Sequence, residues 1–194
     1  MIIKEELIRE HSKAQAIKIA KYAMLSRKNM RELMDCFSAG EYRIAQRAAY
    51  SVLWVVILKP TALKPFIGEI VGLIERKDVH VAVVRNSVRV LETIDIPEEY
   101  HGIVMNACFN FLEKPTTPIA TKAFSMTTLF KLSKIYPDIL PELVLIIEEG
   151  WDNETPAFRS RGRKILKIRK SLKNKTLTIT IKCKCITDNQ KPST

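Results

Sequence analysis

The stretch Asp78 to Ile94, DVHVAVVRNSVRVLETI, decides the fold class. Asp78 opens a turn. From Val84 onward the apolar side chains return at steps of three and four, through Val88 and Leu91 to Ile94, the period of a helix with one apolar side. A basic residue, Arg85, stands early in it. The same arrangement recurs outward in both directions. Arg47, Arg85, Lys122 and Arg161 follow one another at spacings of 38, 37 and 39, each six or seven residues after a polar turn residue: Glu41, Asp78, Thr116 and Glu154. Small or polar positions and then an apolar set come next, as in Ala48-Ala49-Val52-Leu53, Ser87-Val88-Leu91, Ala123-Phe124-Thr127-Leu129 and Gly162-Ile165-Leu166. A helical repeat of this length is the mark of a solenoid. One helical pair cannot bury its apolar sides alone, whereas stacked pairs bury them in a continuous core.

The segments between these helices supply the second member of each pair. Pro60 and Pro65 punctuate the turn after Ile44 to Leu58, and Phe66 to Ile74 reads as a helix. Pro97 opens the next, which turns Ile103, Val104, Ala107, Cys108, Phe111 and Leu112 inward. Pro118 precedes Ile119 to Tyr136, Pro137 and Pro141 open the helix with Leu143 to Ile147 on its apolar side, and Pro156 starts a last helix through about Leu172. Proline is at home in a first helical turn, where its missing N–H would have no partner. Residues 1–172 are therefore expected to form one helical repeat domain. In 173–194, Leu177, Ile179, Ile181, Cys183 and Cys185 alternate with polar residues, which is strand periodicity with no partner strand. That segment is expected to be a basic, poorly ordered tail.

Asp78, Val84-Arg85, Leu91 and Ile94 together resemble the HEAT repeat, and PDILPEL, Pro137 to Leu143, is similar to that family's second-helix opening. The resemblance covers about residues 12–172, with Lys13 to Ala39 the poorest match. It implies an all-α, right-handed superhelix of about four to five helical pairs. It also implies that turn acids and helix arginines form a ladder between repeats, which gives Asp78, Arg47, Arg85 and Arg161 structural roles. Thr116 and Lys122 depart from that acid–arginine pairing and leave one rung open. A third implication is that the second helix of each pair lines the concave face. Some HEAT-like solenoids are glycosylases for alkylated DNA, with DNA along that face.

Composition excludes several classes. Hydrophobic residues make up 46% and charged residues 27% of the 194, ordinary for a globular protein. No apolar run approaches the roughly 20 residues of a membrane span. Met1 to Glu10 mixes Lys4, Glu5, Glu6 and Arg9 with its apolar residues and is no signal peptide, so a cytoplasmic location is expected. Cys183 and Cys185 form a lone C-x-C without the second pair a closed zinc site needs. No P-loop, dinucleotide, nucleophile-elbow or zincin motif occurs. No cofactor or metal is expected, and an enzymatic role is disfavoured. The cluster Glu98, Glu99, His101 has an i,i+3 spacing that could serve acid–base or metal chemistry. Its plainer interpretation is a solvated first turn, with acids placed well at a helix N-terminus.

The formal charge of +11 is unevenly distributed. Residues 1–154 balance 20 Lys and Arg against 20 Asp and Glu, whereas 155–194 hold 12 cations against Asp188. The second helices as read (28–39, 64–77, 98–114, 138–149) sum to −5, and the first helices to +15. With second helices on the concave side, the expected function is a non-catalytic scaffold that binds a protein partner through Glu98, Glu99, Asp138, Glu142, Glu148 and Glu149. Trp151, in a loop, is either an anchor for that partner or a cap on the last repeat. The alternative is a nucleic-acid protein using the last helix, where Arg159, Arg161, Arg163, Lys164, Lys167, Arg169 and Lys170 run without an acid. A solvated terminal cap, an acidic protein or an anionic membrane surface would also explain that run. Trp54 reads as core packing.

Overall fold

The computed structural model describes residues 1–39 and 41–169, and all their regular structure is helical. A short N-terminal helix α1 (Ile3–Arg9) precedes four pairs: α2 (Lys13–Ala23) with α3 (Arg27–Ser38), α4 (Tyr42–Leu58) with α5 (Ile67–Glu75), α6 (Val81–Thr93) with α7 (His101–Glu113), and α8 (Ile119–Leu132) with α9 (Ile139–Glu149). Residues 156–169 form α10. Single 3₁₀ segments, Pro60–Phe66 and Glu98–Tyr100, lead into α5 and α7. The boundary expected at 172 and the poorly ordered tail expected over 173–194 lie outside the described residues.

Local chemistry sets the helix starts. Ser12 and Ser26 accept the backbone N–H groups of Gln15 and Asn29, each at 3.1 Å, which satisfies donors a first turn leaves free. His80 Nδ1 does the same for Ala82 at 3.1 Å. Pro97 and Pro118 stand at the N-cap positions of the segments they introduce. The expected helix from Phe66 begins one residue later, because Pro60 and Pro65 hold the preceding turn in tighter 3₁₀ form. The core is one continuous row of buried side chains, from Leu33 and Phe37 through Val52, Ile70, Leu91 and Cys108 to Met126, Leu143, Ile147 and Phe158.

The two layers differ in spacing. Helices α2, α4, α6 and α8 lie side by side with extensive contact, and α3, α5 and α7 pack beneath the next first helix. Within the second layer, α5 meets α7 and α7 meets α9 only at a few residues, and α3 is tied to α5 by the Arg31–Glu69 ion pair. We call the closely packed row of first helices the inner layer and the row of second helices the outer layer. No helix of the described residues is long and apolar enough to cross a membrane.

Candidate binding face

Each inner-layer helix is buried on three sides and leaves one stripe open. On α4 the stripe is Arg43, Arg47, Tyr50, Trp54 and Leu58; on α6 it is Val81, Arg85, Arg89 and Glu92; on α8 it is Ala120, Phe124, Thr127 and Lys131. These positions recur at three- and four-residue steps, as a single helical side requires. The face is basic and aromatic at once. Lys13 Nζ lies 5.1 Å from the Trp54 ring centre. The guanidinium groups of Arg89 and Arg161 lie 5.7 and 5.2 Å from the Phe124 ring, cation–π range in both cases. The His11 and Tyr50 rings meet edge to face at 5.9 Å.

Charge divides by layer. Helices α2, α4, α6, α8 and α10 carry fifteen Lys and Arg against one acid, Glu92; the other layer with its 3₁₀ segments carries ten acids against four cations. Part of the inner charge is committed to structure. Arg47 donates to the carbonyls of Leu7 and Ile8, at 2.7 and 2.8 Å, in the last turn of α1, where carbonyls lack intrahelical partners. Lys131 caps the end of α6 in the same way, donating to the carbonyls of Leu91, Glu92 and Ile94. Burial pushes its ammonium below the usual lysine range, against the pull of Asp95 and Glu92. Arg161 reaches across α8 to Glu92 and also donates to Thr127 Oγ1 at 2.6 Å and the Ala123 carbonyl at 3.2 Å, which ties α10, α8 and α6 together. Arg85 and Arg89 form no ion pair or hydrogen bond among the described residues.

The acid–arginine ladder takes a different form from the one the resemblance implies. Asp78 is exposed and is bound by Arg76, two residues earlier in its own turn, through Nε at 2.9 Å and a second guanidinium nitrogen. That pairing holds its carboxyl at about 2. Arg47 and Arg161 reach to carbonyls and Arg85 has no partner among the described residues, so none of them meets Asp78. The rung left open at Lys122 is occupied with the roles reversed: its ammonium pairs with Glu154 in the turn before α10.

The other singled-out residues fall in two groups. Glu98, Glu99, Asp138, Glu142, Glu148 and Glu149 are all exposed on the outer layer, and Glu148 is paired with Arg169 at 3.3 Å. Arg159, Arg163, Lys164 and Lys167 lie on α10 with Arg161; Lys170 is outside the described residues. Trp151 packs against α10, with Gly162 beneath its ring and the Arg163 guanidinium 5.8 Å from it. His101 is not in a solvated turn: it is 6% exposed, donates from Nε2 to the Ile96 carbonyl at 2.7 Å, and meets the Tyr136 hydroxyl through Nδ1 at 3.1 Å. These bonds occupy both ring nitrogens and make it a structural residue. Sequence reasoning missed Lys13, Tyr50, Arg89 and Phe124 as members of one surface; Trp54, read as core packing, does pack against the core and also reaches that surface. The available signal was the Arg43–Arg47–Tyr50–Trp54 spacing inside an otherwise apolar helix.

The comparisons with known proteins agree with this architecture. No curated protein and no solved structure matches the chain. The family model described as HEAT repeat domain matches residues 3–169. With that match spanning most of the chain, and with successive helical pairs stacked in one continuous core, the chain belongs to the HEAT repeat family.

Proposed function

We propose that the chain is a non-catalytic scaffold whose inner face binds a nucleic acid through its phosphate backbone. The observation that carries this reading is the separation of charge between layers, with the cation-rich layer on the closely spaced side. Phosphate affinity scales with the cations presented to the backbone. Arg85 and Arg89 on α6, Lys13 on α2 and the cations of α10 set positive charge on successive helices of this layer. The test is retention on a DNA column across a salt gradient. The double variant Arg85→Glu, Arg89→Glu is expected to elute at lower salt, with the salt slope reduced by roughly one per cation removed. Unchanged elution of that variant would remove the inner face from consideration.

A second reading has its own support. Glu98, Glu99, Asp138, Glu142 and Glu149 are exposed and form no ion pair among the described residues, a surface suited to a basic protein segment. Binding of an oligolysine peptide, weakened by Glu142→Lys with Glu148→Lys, would support a protein partner on the outer layer. Equal binding by both proteins would count against it.

A further inference from the structure

We infer that the inner face selects single-stranded over duplex nucleic acid, by stacking bases on Trp54 and Phe124. This rests on the phosphate-binding reading above and adds the form of the ligand. Both rings are half-buried on the open stripes, so each is held by the core and still presents surface. Trp54 Nε1 is buried without a hydrogen-bond partner among the described residues. Its polar edge is therefore turned into the protein, so a ligand would meet the ring by stacking rather than by accepting a hydrogen bond. Base stacking on such a surface tolerates any sequence, because every base has a π-face.

The cations fit the same ligand. Lys13 rests over the Trp54 ring, and Arg89 with Arg161 over the Phe124 ring; Lys13 and Arg89 form no ion pair among the described residues and would swing aside to meet the phosphates flanking a stacked base. Arg47, Lys131 and Arg161 are committed to carbonyls or to Glu92, which leaves too few free charges at the centre for tight contact with both strands of a duplex. A duplex also keeps its bases stacked on one another, so the two rings would gain nothing from it. Trp54 on α4 and Phe124 on α8 are separated by α6, or about two interhelical spacings of 8–10 Å. They would therefore anchor a short strand at two points rather than clasp one nucleotide.

The experiment uses the full chain and a labelled oligothymidylate of about 15 nucleotides, with a duplex of the same length at the same salt. The single strand is expected to bind at least about tenfold tighter. Trp54→Leu and Phe124→Leu should each weaken it between about fivefold and 150-fold while changing duplex binding little, and Trp54→Phe should keep most of the affinity. In Trp151→Phe protein all indole emission comes from Trp54, and the unlabelled single strand should quench it, a readout that does not depend on the Leu variants folding. Equal affinity for both forms with no quenching would overturn the stacking inference and leave phosphate binding intact. Failure of either nucleic acid to bind at low salt, with capture of polyglutamate instead, would overturn both.

Discussion

Replacing Glu154 with Gln tests whether the repeats are held together by the reversed rung. The Lys122 side chain is 7% exposed and that of Glu154 18%. Lys122 therefore reaches its only partner among the described residues from within the core side of α8. Removing the carboxylate leaves an ammonium group buried without a counter-charge, which costs about 3–5 kcal/mol for a fully buried pair. The residual access at Glu154 lets water meet part of that loss, which places the expected cost at roughly 2–4 kcal/mol. At about 2–4 °C per kcal/mol for a domain of this size, the melting midpoint should fall by roughly 4–16 °C. Lys122→Met with Glu154→Gln removes the stranded charge and should return to within about 1 kcal/mol of the parent. Urea and thermal denaturation followed by circular dichroism, at low and high salt, give the full double-mutant cycle. Screening acts weakly on buried pairs, so the Glu154→Gln cost should be similar at both salts. The reasoning is refuted if that variant is as stable as the parent, or if the double variant is no better than the single.

Two further outcomes follow from local geometry. A Cβ on Gly162 would lie 2.7 Å from Ile147 Cγ2, and Ile147 is fully buried, so Gly162→Ala should lower stability by about 1–2 kcal/mol after its helix-propensity gain. Gly72 on α5 has nothing within 4 Å, so Gly72→Ala should gain about 0.5–1 kcal/mol; thermal melts of the two variants should move in opposite directions. Arg76 holds the Asp78 carboxyl at about 2, below the ordinary 3.8, so its native-state contribution is complete above the unfolded value and is lost as pH falls through the folded one. Carboxyl NMR should show that titration near 2 in the parent, and a return toward the ordinary value in Arg76→Gln.

The helices were legible in the sequence because their period, prolines and caps are local properties. Asp78 to Ile94 and the recurrence of its pattern were enough to give the solenoid. Which layer packs more closely was not legible, because helix spacing is a property of packed pairs rather than of any one segment. That spacing sets Arg85, Arg89 and Phe124 on the closely packed layer, while Glu98, Glu99 and Glu142 lie on the other. The Lys122–Glu154 rung was hidden for a related reason: the two are 32 residues apart, and the family pattern directs attention to an arginine and an aspartate. His101 was read into a solvated turn because its neighbours in sequence are polar, yet its neighbour in space is Tyr136; Trp151, left open between anchor and cap, packs beside Gly162 of α10.

The unequal spacing of the layers also sets how the domain yields to force. Helices α5, α7 and α9 share little surface with one another, so drawing them together or apart changes buried apolar area only slightly. The row α4, α6, α8 shares a large surface and resists separation. Bending therefore pivots about the inner row, and the outer row takes up the strain. A ligand lying along α4, α6 and α8 would find a stiff floor with a fixed distance between anchor points. The radius of the arc as a whole can still adjust by motion of helices the ligand never touches.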